Sequence, residues 1–347
     1  MVFGRNHTGK KFIQSMHPYE FKGATQRMES DIMRMISVHT GKRGDGMKIG
    51  LIGAGKMGCT LGKHMTQYVL AHGSEFETAQ EMGAFVPSVC VMGYYSRNPE
   101  SAKQAAQFTD TKYYESMEAL VEVCDVIFIT VPDGQIAQVV HNLSQMCKNL
   151  KEKILIHTSG ALSSQVFSDM DDRLIGYSIH PLYAVNSKWD SYIEFPQCFV
   201  TIEGPQMYRQ FLEDWFRALG HPVKQIGAED KAKYHAGAVF ASNLVVGLYH
   251  QAAGLLMQCG FEAEEAQKAL MPLFMNNAQN MERVGCEQAL TGPVARGDSA
   301  TVQKHLGVLS GRCEQVYRLL SEELLYLVAD KTEGHRDIQA RLEGEKK

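Results

Sequence analysis

The sequence predicts an α/β protein, a doubly wound parallel sheet followed by an all-α C-terminal domain. Three observations predict it. From Met47 to about Glu229, short runs rich in Val and Ile alternate with helix-length stretches, as βαβ units do. The first run passes directly into a glycine-rich bend, Gly53-Ala54-Gly55-Lys56-Met57-Gly58. Beyond Glu229 only helical stretches follow. A length of 347 residues suits two domains, at roughly 150 residues each.

The strand-like runs are MKIGLIG, SVCVMGYYS, DVIFITVP, KILIHTS, LIGYSIHP and QCFVTIEG, each ending in turn residues. Helices are expected at 56–72, 99–108, 133–147 and 161–170, with a loop around 73–88. In the second half they are expected at 230–259, 262–283, 298–309 and 312–329. Residues 47–229 then form the nucleotide-binding domain, 230–330 the helical domain and 331–347 a charged tail. Residues 1–46 differ from the rest. Eight Lys or Arg against four acids give them a net charge of +4, without a sustained apolar period, so they read as a basic, flexible extension. Their interspersed acids argue against a targeting presequence.

Composition narrows the classes. Hydrophobic residues make up 44% and charged residues 21%, which suits a soluble globular chain. A net charge of −4 gives no bulk electrostatic case for nucleic acid. The eight cysteines form no C-x-x-C pair, so neither a metal site nor a disulfide framework is expected. Free thiols point to a reducing compartment such as the cytoplasm. Residues 234–261 contain no charged residue and are long enough to span a bilayer. His235, Ser242, Asn243, His250 and Gln251 lie within them. A helix buried all round by protein accounts for that mixture better than a membrane span.

A G-x-G-x-x-G bend is weak alone, but between a strand and a helix it reads as a dinucleotide cradle. Gly53 permits the tight turn, Gly55 admits the pyrophosphate and Gly58 allows close helix packing. Ala54, Lys56 and Met57 complete the loop at the helix N-terminus. The second strand ends Tyr95-Ser96-Arg97-Asn98, with no acid before Glu100. An acid there accepts the ribose hydroxyls of NAD; Arg97, beside Ser96 and Asn98, suits the extra phosphate of NADP. NADP(H) is the expected cofactor.

Ligands of such sheets bind beyond the carboxyl ends of the strands. One strand ends Thr130-Val131-Pro132-Asp133, placing Val131 and Pro132 beside the nicotinamide ribose. The next ends His157-Thr158-Ser159-Gly160, the next His180-Pro181-Leu182. Hydride transfer needs a donor for the developing charge and an orienting hydrogen bond. His180, near an ordinary pKa of about 6.5, and Ser159 can serve, or they can cap turns. On the long helix Lys231, His235, Val239, Ser242 and Asn243 fall close to one stripe, which points at a substrate or at another helix. Arg296, in the polar run Leu290 to Asp298, can clamp a carboxylate or pair with Asp298.

In this order, GLIGAGKMG, IHTSGAL, SIHPL, KYHAGAVFASN and ALTGPVARGD resemble the family that joins a Rossmann-like domain to the domain of unknown function 2520. That family sits in the 6-phosphogluconate-dehydrogenase-like group, beside pyrroline-5-carboxylate and ketopantoate reductases. The resemblance covers residues 47–310, with the second family domain starting near residue 176. It implies NADP(H) binding, a helical C-terminal domain and a homodimer through that domain. Hydroxyacid dehydrogenases and ketopantoate reductases of the group carry a catalytic Lys, with Asn one or two turns later, on the first long helix of the second domain. Here His235 would occupy the Lys position, with Asn243 two turns on and Val239 in place of the nearer Asn. The expected function is an NADP(H)-dependent oxidoreductase acting on a small carbonyl, imine or hydroxyacid. Ketopantoate-like reduction is the first guess, with His180 or His235 as acid/base and Ser159, Asn243 and Arg296 orienting the substrate. The alternative is an NADP(H) sensor without turnover.

Overall fold

The computed structural model describes residues 47–81, 89–147 and 149–343. The basic extension of residues 1–46 lies outside them. The described chain divides into two compact units, one reaching Val239 and one starting at Phe240.

The first unit is built on an eight-stranded sheet in the order β3-β2-β1-β4-β5-β6-β7-β8. Its strands are β1 (Met47–Ile52), β2 (Val89–Tyr95), β3 (Lys112–Tyr113), β4 (Val126–Ile129), β5 (Ile154–His157), β6 (Ile175–Pro181), β7 (Val200–Glu203) and β8 (Val223–Gln225). All neighbouring pairs are parallel except β6 with β7. The wholly parallel expectation therefore gives way at β7, and the two shortest strands, β3 and β8, carry too few apolar residues to be read from sequence. β4 and β5 are buried along their whole length, as central parallel strands must be.

Helices flank the sheet: α1 (Lys56–Glu81), α2 (Pro99–Thr109), α3 (Met117–Val123), α4 (Asp133–Met146), α5 (Gln165–Ser168) and α6 (Arg209–Ala218). α1 runs on to Glu81 where a loop is expected from residue 73, because the single Gly73 costs a helix only about 1 kcal/mol and no proline occurs between it and Glu81. Asn98 starts α2 by accepting the amides of Glu100 and Ser101, with Pro99 at the first helical position. The stretch 161–170 yields only the short α5. Two apolar layers fill the faces of the sheet. Ile49, Leu51, Phe128, Ile156 and Trp215 belong to one, Ile52, Ile127, Ile129 and Leu155 to the other.

The expected helix 230–259 is interrupted. α7 (Lys231–Ala241) and α8 (Asn243–Gln258) are separated by Ser242 at φ −127°, ψ −82°, so the stripe from Lys231 to Asn243 does not continue unbroken. The second unit contains α8, α9 (Ala263–Ala289), α10 (Gly292–Arg296), α11 (Ser299–Val308), α12 (Gly311–Leu327) and α13 (Glu333–Glu343). α9 bends at Gly285, whose φ is +81°. Val294, Val302, Leu325, Ile338 and Leu342 form its core, so the residues expected as a charged tail include a packed helix.

Burial all round is not found for the apolar helix. Of α8 only Ala253 is buried, and Phe240, Val246, Leu273, Val308, Leu319 and Tyr326 are exposed. The cover that the sequence calls for is not supplied by the described residues of one chain. By length and composition, the segment Ala228–Gln258 is the one among the described residues that could cross a membrane.

Away from the strand ends, His221 Nε2 lies 3.1 Å from His64 Nε2, and His221 Nδ1 lies 3.1 Å from the Cys198 carbonyl. Burial, with His221 adding to it, holds His64 at about 4, and burial likewise lowers His221. Both rings are therefore neutral in the fold and titrate normally once unfolded. Stability is full above about pH 6.5 and falls as the pH drops toward 4, by about 3 kcal/mol for the His64 ring held at about 4. Urea unfolding at pH 5.0 is expected to show a lower midpoint than at pH 7.5; equal midpoints would contradict the neutral pair.

Candidate active site at the carboxyl edge of the sheet

The glycine bend is fixed from below. Gly53 N donates to Tyr95 O at 2.9 Å, and Thr130 Oγ1 donates to Gly53 O at 2.9 Å. Gly53 has φ +113°, and a Cβ on Gly58 would stand 2.3 Å from Gly53 O. Only glycine suits either position. A Cβ on Gly55 would meet nothing within 4 Å, which leaves that backbone open to a ligand. α1 begins at Lys56, so its free amides face the same opening. Ala54 is buried, and Met57 packs partly buried against the sheet's core. These residues fit a pyrophosphate. At the end of β2, Arg97 is exposed and makes no ion pair among the described residues. Ser96 Oγ accepts from Asn98 N, and Asn98 is spent on capping α2. Of the three, Arg97 is the group free for a 2′-phosphate.

The next strand end along the sheet supplies a start for α4, with Val131 half-buried and Pro132 exposed at the helix N-cap. Beyond β5 the chain makes a tight turn. Ser159 N donates to His157 Nδ1 at 3.2 Å, while His157 Nε2 meets Ser163 O at 3.1 Å. Ser159 Oγ donates to Asp133 Oδ2 at 2.7 Å and accepts from the amides of Ala161 and Leu162. Its hydrogen-bonding capacity is thereby filled, so here Ser159 shapes the turn. The Ser159 carbonyl receives Lys231 Nζ at 2.8 Å and Ser178 Oγ at 3.2 Å.

Gly160 is where the predicted histidines meet. A Cβ there would stand 2.6 Å from His235 Nδ1 and 2.9 Å from His180 Nε2 and Cε1. The two rings are 6.2 Å apart at their centroids. His180, half-buried, uses Nδ1 with Tyr234 Oη at 2.8 Å. Thr201 hydrogen-bonds the Tyr234 hydroxyl in turn, and burial raises that phenol above its usual range. Thr201 Oγ1 gives its proton to the His180 carbonyl at 3.4 Å; with the phenol donating to Nδ1, the ring proton of His180 lies on Nε2, beside Gly160. His235 Nδ1 is buried with no hydrogen-bond partner among the described residues, a state that costs about 1–3 kcal/mol until something fills it.

Electrostatics alter the expected chemistry of His180. Burial first, then the charges of Lys231 and His235, push it down to about 4, with Asp133 opposing. At neutral pH it is a neutral hydrogen-bond donor rather than a group in mid-titration. Lys231 is held at about 8, chiefly by burial. Sequence reading missed Tyr234, which no spacing singles out. It placed Lys231 on the helix stripe without a role; following Glu229 and Asp230 and preceding Lys233, it carries no local signal of burial. Asn243, exposed, accepts from Ser242 Oγ, and exposed Arg296 ends α10; both belong to the second unit. Asp298 is occupied with Thr301 N and Oγ1 as the cap of α11.

Residues 48–160 match the family model described as NADP oxidoreductase, coenzyme F420-dependent, and residues 198–324 match the domain of unknown function 2520. Among solved structures, an assigned NADP oxidoreductase of Bacteroides fragilis is 22% identical. It aligns over 80% of this chain and 98% of its own, with a TM-score of 0.60. A protein of Thermotoga maritima is 23% identical over 80% and 97%, with the same TM-score. The 1-pyrroline-5-carboxylate reductase of Streptococcus pyogenes is 17% identical over 86% and 97%, with a TM-score of 0.51. At these identities the likeness is one of fold. No curated protein matches the chain. Gly58→Ala is expected to weaken NADPH binding by at least ~10-fold, since its Cβ collides with the loop that must stay closed; fluorescence titration checks this, and wild-type affinity would contradict the cradle.

Proposed function

We propose that this chain, an NADP-dependent oxidoreductase by its family matches, transfers a hydride to or from a small carbonyl, imine or hydroxyacid at the Ser159–Gly160 turn. The observation that carries the reading is the convergence of His180 Nε2 and the unpartnered His235 Nδ1 on Gly160. That turn lies at the carboxyl edge of the sheet that also bears the glycine cradle, where ligands of such sheets bind.

NADPH, when bound, supplies the hydride. The chain's own residues do the rest. The amides of Gly53 to Gly58 hold the pyrophosphate, and Arg97 holds the 2′-phosphate. Val131 and Pro132 flank the nicotinamide ribose. His180 donates a hydrogen bond from Nε2 to the reacting heteroatom, its ring fixed by Tyr234. His235 completes the pair. The Streptococcus relative acts on a cyclic imine by its name, which keeps imines in the class; ketopantoate-like reduction remains the first assay. Eight free cysteines suit a reducing cytoplasm. A second copy of the chain, laid on the exposed apolar face of α8 and α9, would supply the missing cover and make a homodimer.

Two outcomes test this reading. Arg97→Gln is expected to raise the Kd for NADPH by roughly 10- to 100-fold while shifting that for NADH less than about threefold; equal shifts would remove the 2′-phosphate role. On a substrate found by following loss of reduced-nicotinamide absorbance over keto acids, ketones and imines, His180→Ala or His235→Ala should lower kcat by ~100-fold. Unchanged turnover in both would refute the assignment.

A further inference from the structure

Lys231 opens α7 with 2% of its surface exposed. Its Nζ donates to Ser159 O at 2.8 Å and to Ser178 Oγ at 2.7 Å, both uncharged acceptors. No carboxylate is within ion-pair range of it among the described residues. The two acids that act on it from farther off are engaged elsewhere. Glu203 accepts Ser164 N and Oγ at 2.6 and 2.8 Å, and Asp133 accepts Ser159 Oγ. A buried ammonium without a paired carboxylate is costly to keep. A pKa held at about 8 still leaves it charged at neutral pH.

That charge lies directly behind the peptide against which His180 and His235 pack. At the His180 ring the effect of the Lys231 charge exceeds the opposing effect of Asp133. The local field at the Nε2 that faces Gly160 is therefore positive.

Resting on the hydride-transfer reading above, we infer that the unpaired ammonium of Lys231 makes the Gly160 pocket a site for the C=O/CH–OH couple and turns it against iminium ions. Reducing a carbonyl adds a hydride to carbon, moves the π pair onto oxygen and ends with one proton taken from solvent; the dinucleotide ends oxidised. Negative charge grows on oxygen during that change, and a fixed positive field lowers its energy. An iminium ion brings its own positive charge into the same field and is repelled on entry. Unlike His180, Lys231 need not touch the substrate; it acts as a positioning and field-setting residue through the Ser159 carbonyl.

The test compares the full-length wild type with Lys231→Met and Lys231→Arg. Nuclear magnetic resonance of the ring protons, with His180 identified by its loss in His180→Gln, reads the field without turnover. His180 is expected to titrate far below the usual histidine range in the wild type and in Lys231→Arg, and to move upward in Lys231→Met. With NADPH, wild-type kcat/KM should favour ketones and keto acids over cyclic imines by at least ~10-fold, and Lys231→Met should shrink that preference ~10-fold or more, with Lys231→Arg retaining most of it. A preference for cyclic imines, or a wild-type His180 that titrates in the usual range, overturns the inference and leaves hydride transfer standing. NADPH binding without turnover of either class overturns the hydride reading and the substrate preference with it.

Discussion

One peptide carries the geometry of this site, the link between Ser159 and Gly160. Its carbonyl is held by Lys231 from α7 and by Ser178 from β6. The Ser159 amide is tied to His157 and the Ser159 hydroxyl to Asp133 at the start of α4. Three segments distant in sequence, together with the neighbouring His157, therefore fix one turn to within hydrogen-bond tolerance. The absence of a side chain at Gly160 lets two imidazoles close on it. Loosening any of these ties moves the rings that the chemistry needs.

The electrostatic cost of the arrangement is concentrated at the same place. Four histidines are buried far enough to be held neutral, two of them in or beside the turn. A lysine is sunk beside them without a carboxylate against it. Natural folds keep such groups where burial and charge serve a reaction, whereas His64 and His221, away from the strand ends, bind α1 to the chain between α6 and β8 and serve packing. The second unit shows the opposite economy. Its helices leave large apolar side chains such as Phe240, Val246 and Leu273 exposed among the described residues.

Much of this was legible in the residues. The alternation of runs from MKIGLIG onward marks the sheet because parallel central strands are continuously apolar, and the glycine bend declares itself by its place between strand and helix. Ser159, His180 and His235 could be named because strand ends and helix stripes locate them. Other features were hidden for physical reasons. Tyr234 takes its role from a contact 54 residues distant in sequence, which no local period encodes. The antiparallel turn of β7 depends on the path of the chain between β6 and β7 rather than on strand composition. The break at Ser242 is a single unfavourable dihedral pair within an otherwise helical stretch. Ser159 looks the same in sequence whether its hydroxyl meets a substrate or caps a turn; only the filled partners decide. The apolar helix pattern called for burial all round, and the described residues of one chain do not supply it.

The most direct test is a crystal structure of the full-length protein grown with NADPH. The account predicts the pyrophosphate on the amides of the glycine bend, the 2′-phosphate against Arg97, and the nicotinamide ring in van der Waals contact with Gly160, facing His180 Nε2. A nicotinamide ring ordered against another part of the fold, with His180 and His235 remote from its reactive carbon, would contradict it.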